Sequence, residues 1–340
     1  MKKKVLLMLL FVMMLVLTAC GRPDSSSGSD ENDTSDSEYS ISIAYLVAED
    51  QSTHLAAEDF KERVEENSDG RISVELFANG SLYESDREAI EAVQLGNVEM
   101  TIPALAAVSS FNKHMMVFDL PFLFEDYDHV YSVLDGELGE ELFDEIEEVG
   151  LKGLEYGANG FRHITNNKQP IESPDDLKGQ KFRTLESEVQ TSAFKTLGAN
   201  ASPFAFGELY TALQQGTYDA MESPISLLYT NKFFEVQDFL TISSHMYAPT
   251  ALLINNDFYQ ELPDDLKTVI DEAAEQYRDE QRELAEEQDE EWVEKLEEEG
   301  MEVNELTDEQ IEEFKEKSEP VYEKYEDKIG KDIIEKAKQK

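Results

Sequence analysis

An α/β fold built in two lobes is what the sequence predicts, and three observations carry that expectation. Strand-like and helix-like periods alternate from residue 39 onward, the pattern of strands joined by helices in mostly parallel sheets. A short segment recurs: Ala92-Val93-Gln94-Leu95-Gly96-Asn97-Val98-Glu99 and Ala212-Leu213-Gln214-Gln215-Gly216-Thr217-Tyr218-Asp219 share A-x-Q-x-G-x-x-acid. The chain's 340 residues are also enough for two domains, at roughly 150 residues each.

Residues 40–47 (SISIAYLV) alternate like a strand, and Ala57, Phe60 and Val64 then recur at helical spacing. Residues 71–77 (RISVELF) are a second strand, closed by Asn79-Gly80. Ser85, with Glu88 three residues on, is a capping box that opens a helix carrying Ile90 and Val93. Residues 98–102 return as a strand. Gly96 and Gly216 each read as a left-handed residue just past a helix, leading into a strand. Two lobes contributing one unit each would produce this echo, and so would two ordinary junctions that look alike.

Strand patterns continue at residues 151–154, 180–185 and 251–255. After Leu262-Pro263-Asp264-Asp265 a long helix is signalled. Ile270, Ala273, Ala274, Tyr277, Leu284, Gln288, Trp292 and Leu296 mark one face of it, and Gly300 ends it. The acidic run over residues 271–320 reads as a solvated helix face. Thr307 and Gln310 cap one more amphipathic helix, followed by Pro320 and a tail with Tyr322 and Tyr325.

Composition removes many functions. With 29 Lys and Arg against 75 Asp and Glu, the formal charge is −46. The charge disfavours nucleic acid and anionic membrane surfaces as partners, because phosphate binding draws on clustered Lys and Arg. The 40% hydrophobic content supplies a core. The one cysteine, Cys20, rules out an intrachain disulfide and a thiolate zinc cluster. His54, His114, His129, His163 and His245 show no metal-ligand spacing. No P-loop, GxGxxG or nucleophile–base pair can be assembled, so no metal, no cofactor and no enzyme activity are expected.

The N-terminus reads as an address. Lys2, Lys3 and Lys4 precede an unbroken apolar run over residues 5–17, shorter than the about 20 residues a spanning helix needs and right for a signal-peptide core. Leu17-Thr18-Ala19-Cys20 resembles the bacterial lipobox, in which the signal is cut before a cysteine that is then lipid-modified. A plain secretory signal with a chance cysteine is the alternative. The expectation is a signal peptide over 1–19, a lipidated Cys20 with a solvated tether over 20–38, and a body over 39–340 held at the outer face of the cell membrane.

Two arginines stand in strand-like, mostly uncharged surroundings: Arg162 in Asn159-Gly160-Phe161-Arg162-His163-Ile164-Thr165, and Arg183 in Gln180-Lys181-Phe182-Arg183-Thr184-Leu185. A guanidinium binds carboxylate bidentately, and in open α/β sheets ligands sit at the strands' carboxyl ends. A structural salt bridge with one of the many acids is the other reading for each.

Residues 161–183 (FRHITNNKQPIESPDDLKGQKFR), 194–224 (FKTLGANASPFAFGELYTALQQGTYDAMESP), 232–245 (KFFEVQDFLTISSH) and 261–267 (ELPDDLK) resemble blocks of DctP-type solute-binding proteins, the extracytoplasmic receptors of TRAP transporters. Residues 118–124 (FDLPFLF) and Asn79-Gly80-Ser81-Leu82 with Asp86-Arg87-Glu88 fit as well, so the resemblance spans nearly all of the chain from Tyr39.

The resemblance implies a periplasmic-binding-protein-like fold: two hinged lobes, approximately 39–160 with 249–288 and 161–248 with 289–340, and a long helix crossing both. It implies a monomeric receptor that closes over a small organic acid and delivers it to TRAP membrane permease subunits. C4-dicarboxylates lead, with a sugar acid, another monocarboxylate or ectoine behind. A sensory co-receptor for a membrane kinase is the rival from another class, and a secreted hydrolase is a distant third.

By position, Arg183 matches the family's main carboxylate-binding arginine, Arg162 a second site arginine, and Phe206 an aromatic near the ligand. Glu222 and Ser223 fall in Met221-Glu222-Ser223-Pro224, where the family often has Gln-Glu-Asn-Pro, so a hydroxyl replaces an amide. Asp86, Arg87 and His245 lie in blocks near the cleft, although a helix cap and a structural histidine explain them as well. Leu185 replaces a usual Pro, and Ser243-Ser244-His245 replaces Thr-Asn-His, so the carboxylate anchor is kept while the part that reads the rest of the ligand differs.

Overall fold

The computed structural model describes residues 37–340; the expected signal peptide, Cys20 and the tether up to residue 36 lie outside the described residues. Ser37 and Glu38, expected in the tether, are engaged by the body: Ser37 Oγ lies 3.0 Å from Ser73 Oγ, and Glu38 pairs with Arg71 at 3.3 Å.

Among the described residues nine strands form one sheet: β1 (Tyr39–Ala44), β2 (Ile72–Phe77), β3 (Met100–Thr101), β4 (Leu151–Asn166), β5 (Lys181–Thr184), β6 (Asn200–Pro203), β7 (Ala220–Pro224), β8 (Phe239–Asn255) and β9 (Glu302–Glu305). Their order is β2-β1-β3-β8-β4-β7-β5-β6, with β9 on β8. Parallel pairing holds at the two ends, β2-β1-β3 and β6-β5-β7. The centre departs from the mostly parallel expectation. There β4 and β8 run antiparallel from Leu151↔Asn255 to Asn166↔Phe239. Only the outer tips of these strands carried a sequence signal, because Gly153, Gly157, Gly160 and Pro249 interrupt the rest with poor strand formers. Register shifts at Gly153/Glu155, Ala158/Gly160 and Arg162/Ile164 bend the ladder where it passes from one end to the other.

The two ends are built alike. A central strand (β1 or β5) is followed by a helix (Ser52–Asn67 or Glu188–Thr196) and an outer strand (β2 or β6). A second helix (Asp86–Gln94 or Leu209–Gln214) and an inner strand (β3 or β7) complete each unit. The echoed segment occupies the same junction in both. Gly96 and Gly216 share φ 69°, and Asn97 N donates to Ala92 O at 2.9 Å as Thr217 N does to Ala212 O at 2.9 Å. The echo is therefore structural, one unit at each end of the sheet.

The long helix is Asp264–Glu298. Ile270, Ala273, Ala274 and Tyr277 pack into the core around β1, Ala285 into the central core, and Trp292 and Leu296 into the core that holds Leu209 and Met221. Its buried stripe is more polar than expected. Leu284 is half-exposed, while Gln281, Arg282 and Gln288 are buried. Each is satisfied: Gln281 Oε1 accepts from Ala158 N at 2.7 Å, Arg282 forks onto Asp135 at 2.7 Å, and Gln288 Oε1 accepts from Ser52 N at 3.0 Å. These bonds tie the helix to β4 and to the first helix. The helix Asp308–Ile329 continues through Pro320 instead of ending there, since Phe314, Val321, Tyr325 and Ile329 bury one stripe, which outweighs the single lost backbone bond. Among the described residues no helix is long and apolar enough to cross a membrane.

Candidate functional site

A cavity opens beyond the carboxyl ends of the parallel strands and against the middle of β4 and β8. Leu46, Val47, Ile102 and Ala104 line it from the β1–β3 end, Arg183, Leu185 and residues 204–206 from the β5–β6 end, and Asn159, Arg162, Ser223 and Thr250 from the centre.

Arg183 projects from β5. Its Nε donates to Phe204 O at 3.0 Å, and its guanidinium lies 5.9 Å from the Phe206 ring. Its terminal amines have no hydrogen-bond partner among the described residues. The other described arginines, Arg63, Arg71, Arg87, Arg162, Arg278 and Arg282, all pair with carboxylates; Arg183 pairs with none. Burial pushes Arg183 down to about 10, against the pull of the Glu222 and Asp86 charges, so it stays charged at neutral pH with no carboxylate in direct contact among the described residues.

Arg162 lines the same cavity but is already engaged. Glu222 stands opposite Ile164 on β7, which places it diagonal to Arg162 on one face. Arg162 Nε bonds Glu222 Oε2, and its Nη2 donates to Glu222 Oε1 at 2.9 Å and to the Glu222 carbonyl at 3.0 Å. Burial alone would raise Glu222, but the Arg162 charge and hydrogen bonds, with His245 nearby, hold it below the usual range. The salt-bridge reading is the one realised for Arg162, while Arg183 escapes it.

The remaining expected residues divide. Phe206, Ser223 and Asp86 line the cavity; Phe206 is braced edge-on by Phe233 at 5.9 Å. Asp86 Oδ2 accepts from Ala104 N at 3.2 Å, and burial pushes its carboxyl up to about 7 against the pull of that amide and of Arg183. Glu222 and His245 sit outside the lining. His245 Nε2 is 3.6 Å from Glu222 Oε2, and its Nδ1 is 2.8 Å from Ser243 Oγ, so it backs the ion pair. Arg87 needs correction as a site candidate. Its exposed side chain pairs with Glu91 one turn along the helix at 3.0 Å, outside the cavity lining, because successive helical positions face different ways.

Thr53, Asn159 and Thr250 line the cavity without having been singled out. Thr53 follows Gln51, whose Oε1 caps the first helix on Thr53 N at 2.7 Å and whose Nε2 donates to Asn159 Oδ1 at 3.3 Å. Thr250 is 2% exposed and its Oγ1 has no hydrogen-bond partner among the described residues. These residues lie far apart in sequence and meet only through the β4–β8 ladder and the long helix. Asp119, from the 118–124 block, accepts from Ser187 Oγ and Gln190 Nε2 at 2.7 Å each, tying the first half to the helix that follows β5.

Comparison with known proteins places this geometry. The family model for bacterial extracellular solute-binding proteins, family 7 (DctP), matches residues 43–328. The C4-dicarboxylate-binding protein DctB of Bacillus subtilis is 35% identical over 86% of this chain and 83% of its own. The sugar acid binding protein DctPAm of Advenella mimigardefordensis, solved with galactonate, is 39% identical and superposes with a TM-score of 0.86 over 88% of this chain and 96% of that one. A TRAP periplasmic solute-binding protein of Sulfurospirillum deleyianum, solved with succinate, is 37% identical, with a TM-score of 0.85 over 88% of this chain and 98% of its own. The chain thus has the two-lobed fold of TRAP receptors and belongs to family 7 of the bacterial extracellular solute-binding proteins.

Proposed function

We propose that this protein captures a small organic carboxylate outside the cytoplasm and hands it to TRAP permease subunits. The observation that carries the reading is Arg183: a buried guanidinium that lines the cavity and is, among the described arginines, the one without a carboxylate. A ligand carboxylate supplies the missing charge in bidentate geometry. Relatives named for C4-dicarboxylates and for sugar acids both support the carboxylate class. The permease supplies the membrane path. A receptor of this kind works as a monomer whose lobes, near 39–160 with 249–288 and 161–248 with 289–340, close over the ligand.

The attachment to the membrane is part of the same reading. Leu17-Thr18-Ala19-Cys20 supports cleavage before Cys20 and lipidation of its thiol, with the acidic segment behind it as a tether. Cys20→Ser should release the protein from membranes and leave binding intact; a variant that still sediments with membranes shows a different anchor.

A thermal-shift screen of the purified protein against an organic-acid library tests the receptor reading. A ligand at 100 times its Kd stabilises by about 2.7 kcal/mol. Movement with neutral sugars and with no carboxylate contradicts it.

A further inference from the structure

The two echoed units meet at the mouth of the cavity. In each unit a loop joins the outer strand to the second helix: residues 78–85 after β2 and residues 204–208 after β6. Each loop is pinned to its own helix. Glu84 N donates to Glu88 Oε2 at 3.2 Å, and Leu209 N donates to Phe206 O at 3.0 Å. Backbone groups left over by this pinning face each other across the exposed rim. Gly207 N donates to Glu84 O at 3.4 Å, joining the β6-β5-β7 end to the β2-β1-β3 end.

Gly207 permits that approach. Beyond its chain neighbours, a Cβ at 207 would meet Glu84 first, its O at 3.0 Å, its Cα at 3.6 Å and its C at 3.7 Å. Gly207 does not have a positive φ, so its own backbone accepts an L residue. The demand for glycine therefore comes from the opposite loop, and it exists only while the two ends are together. Residues flanking the contact line the cavity. Ser85 and Asp86 follow Glu84, and Phe206, whose ring lies 5.9 Å from the Arg183 guanidinium, precedes Gly207. A ligand that touches both walls draws the two loops together. At 3.4 Å the bond is weak, so it biases the closed population without locking it.

We propose that the Glu84–Gly207 contact is a latch between the two ends, with Gly207 the positioning residue that sets how long a bound ligand stays. It rests on the cavity of Arg183 being the ligand site, whichever carboxylate fills it.

Stopped-flow rates on purified wild-type, Gly207→Ala and Gly207→Val protein test the latch. The probe is the tightest wild-type binder among succinate, galactonate, erythronate, glucuronate and orotate. Ligand enters before the ends close, so association should stay within about twofold of wild type. Dissociation from Gly207→Val should quicken at least about threefold, the change that loss of one hydrogen bond amounts to. Gly207→Ala asks Glu84 to give by only a few tenths of an ångström and should move dissociation less, in the same direction. The melting curve of the empty protein should stay in place. If Gly207→Val melts early, Gly207→Ala decides by the same rates. Wild-type dissociation in the folded variants overturns the latch. So does a lowered melting curve of empty Gly207→Ala, which would show that the glycine serves its own loop. Slowed association with unchanged dissociation overturns it as well, by making the loop an entrance. Binding of none of the five probes to the wild-type protein overturns the carboxylate-receptor reading, and the latch with it.

Discussion

The two ends of the sheet share strand order, helix order and even the hydrogen bonds at their echoed glycines, yet they bring opposite chemistry to the cavity. The β6-β5-β7 end supplies Arg183 and the aromatic wall of Phe204 and Phe206; the β2-β1-β3 end supplies Asp86, Ser85 and Thr53. A repeated scaffold thus positions two walls, and a few side chains on its strands and the helices that follow them decide what each wall recognises. Between them β4 carries Arg162, whose charge is consumed by Glu222. The lesson is that cavity location follows from the fold, whereas ligand charge follows from which arginine is left without a partner.

That contrast is broken most severely by exchanging the roles of the arginines. Arg183→Ala should abolish measurable ligand binding with little change in stability, because no protein ion pair is lost; calorimetry and a melting curve check both halves. Glu222→Gln should do the reverse. It leaves Arg162 buried without its counter-charge and should cost about 3–5 kcal/mol in denaturant unfolding.

Gly160→Ala probes the strand that joins the ends. Gly160 has φ +100°, and a Cβ there would sit 2.0 Å from Asp289 Oδ2 on the long helix, so the substitution should destabilise by more than about 1 kcal/mol. Equal stability would show that the bulge relaxes freely.

A smaller effect is expected from pH. Burial pushes Asp86 up to about 7, with the Ala104 amide and Arg183 pulling it down and Glu186 pushing it up. A second ligand carboxylate raises it further, so binding of succinate takes up a proton and should strengthen as pH falls from about 8 to about 6. Asp86→Asn should flatten that slope. The smallest expected effect concerns the overall charge of −46, which opposes an approaching anion. Salt shortens the screening length from about 30 Å at roughly 0.01 M to about 3 Å at roughly 1 M. Stopped-flow association rates should therefore rise with salt while dissociation changes little; a steep fall would reveal a local positive funnel.

Much of the scaffold was legible because its signals are local. Alternation marked β1 and β2, the capping pair marked the helix at Asp86, and Pro263 with Gly300 bracketed the long helix to within two residues. The central ladder was hidden because glycines break its alternation, and the helix beyond Pro320 because tertiary burial overrode a local stop signal. Arg162 and Arg183 were both visible as unusual arginines, but their difference was not. Which one meets Glu222 depends on the β4–β7 register, a long-range property that neither segment encodes alone. Thr53 and Thr250 were missed for the same reason: their neighbours in sequence carry no sign of the cavity they share.

Calorimetric titration of Arg183→Lys against the wild-type protein, with a carboxylate ligand found by the thermal-shift screen, bears most directly on Arg183 as the anchor. A lysine keeps the charge but loses the planar fork. Affinity should fall more than about tenfold, in line with the roughly 2–5 kcal/mol lost when a buried charge pair is disrupted, while the melting curve of the empty protein stays in place. Wild-type affinity in a folded Arg183→Lys protein would contradict the assignment.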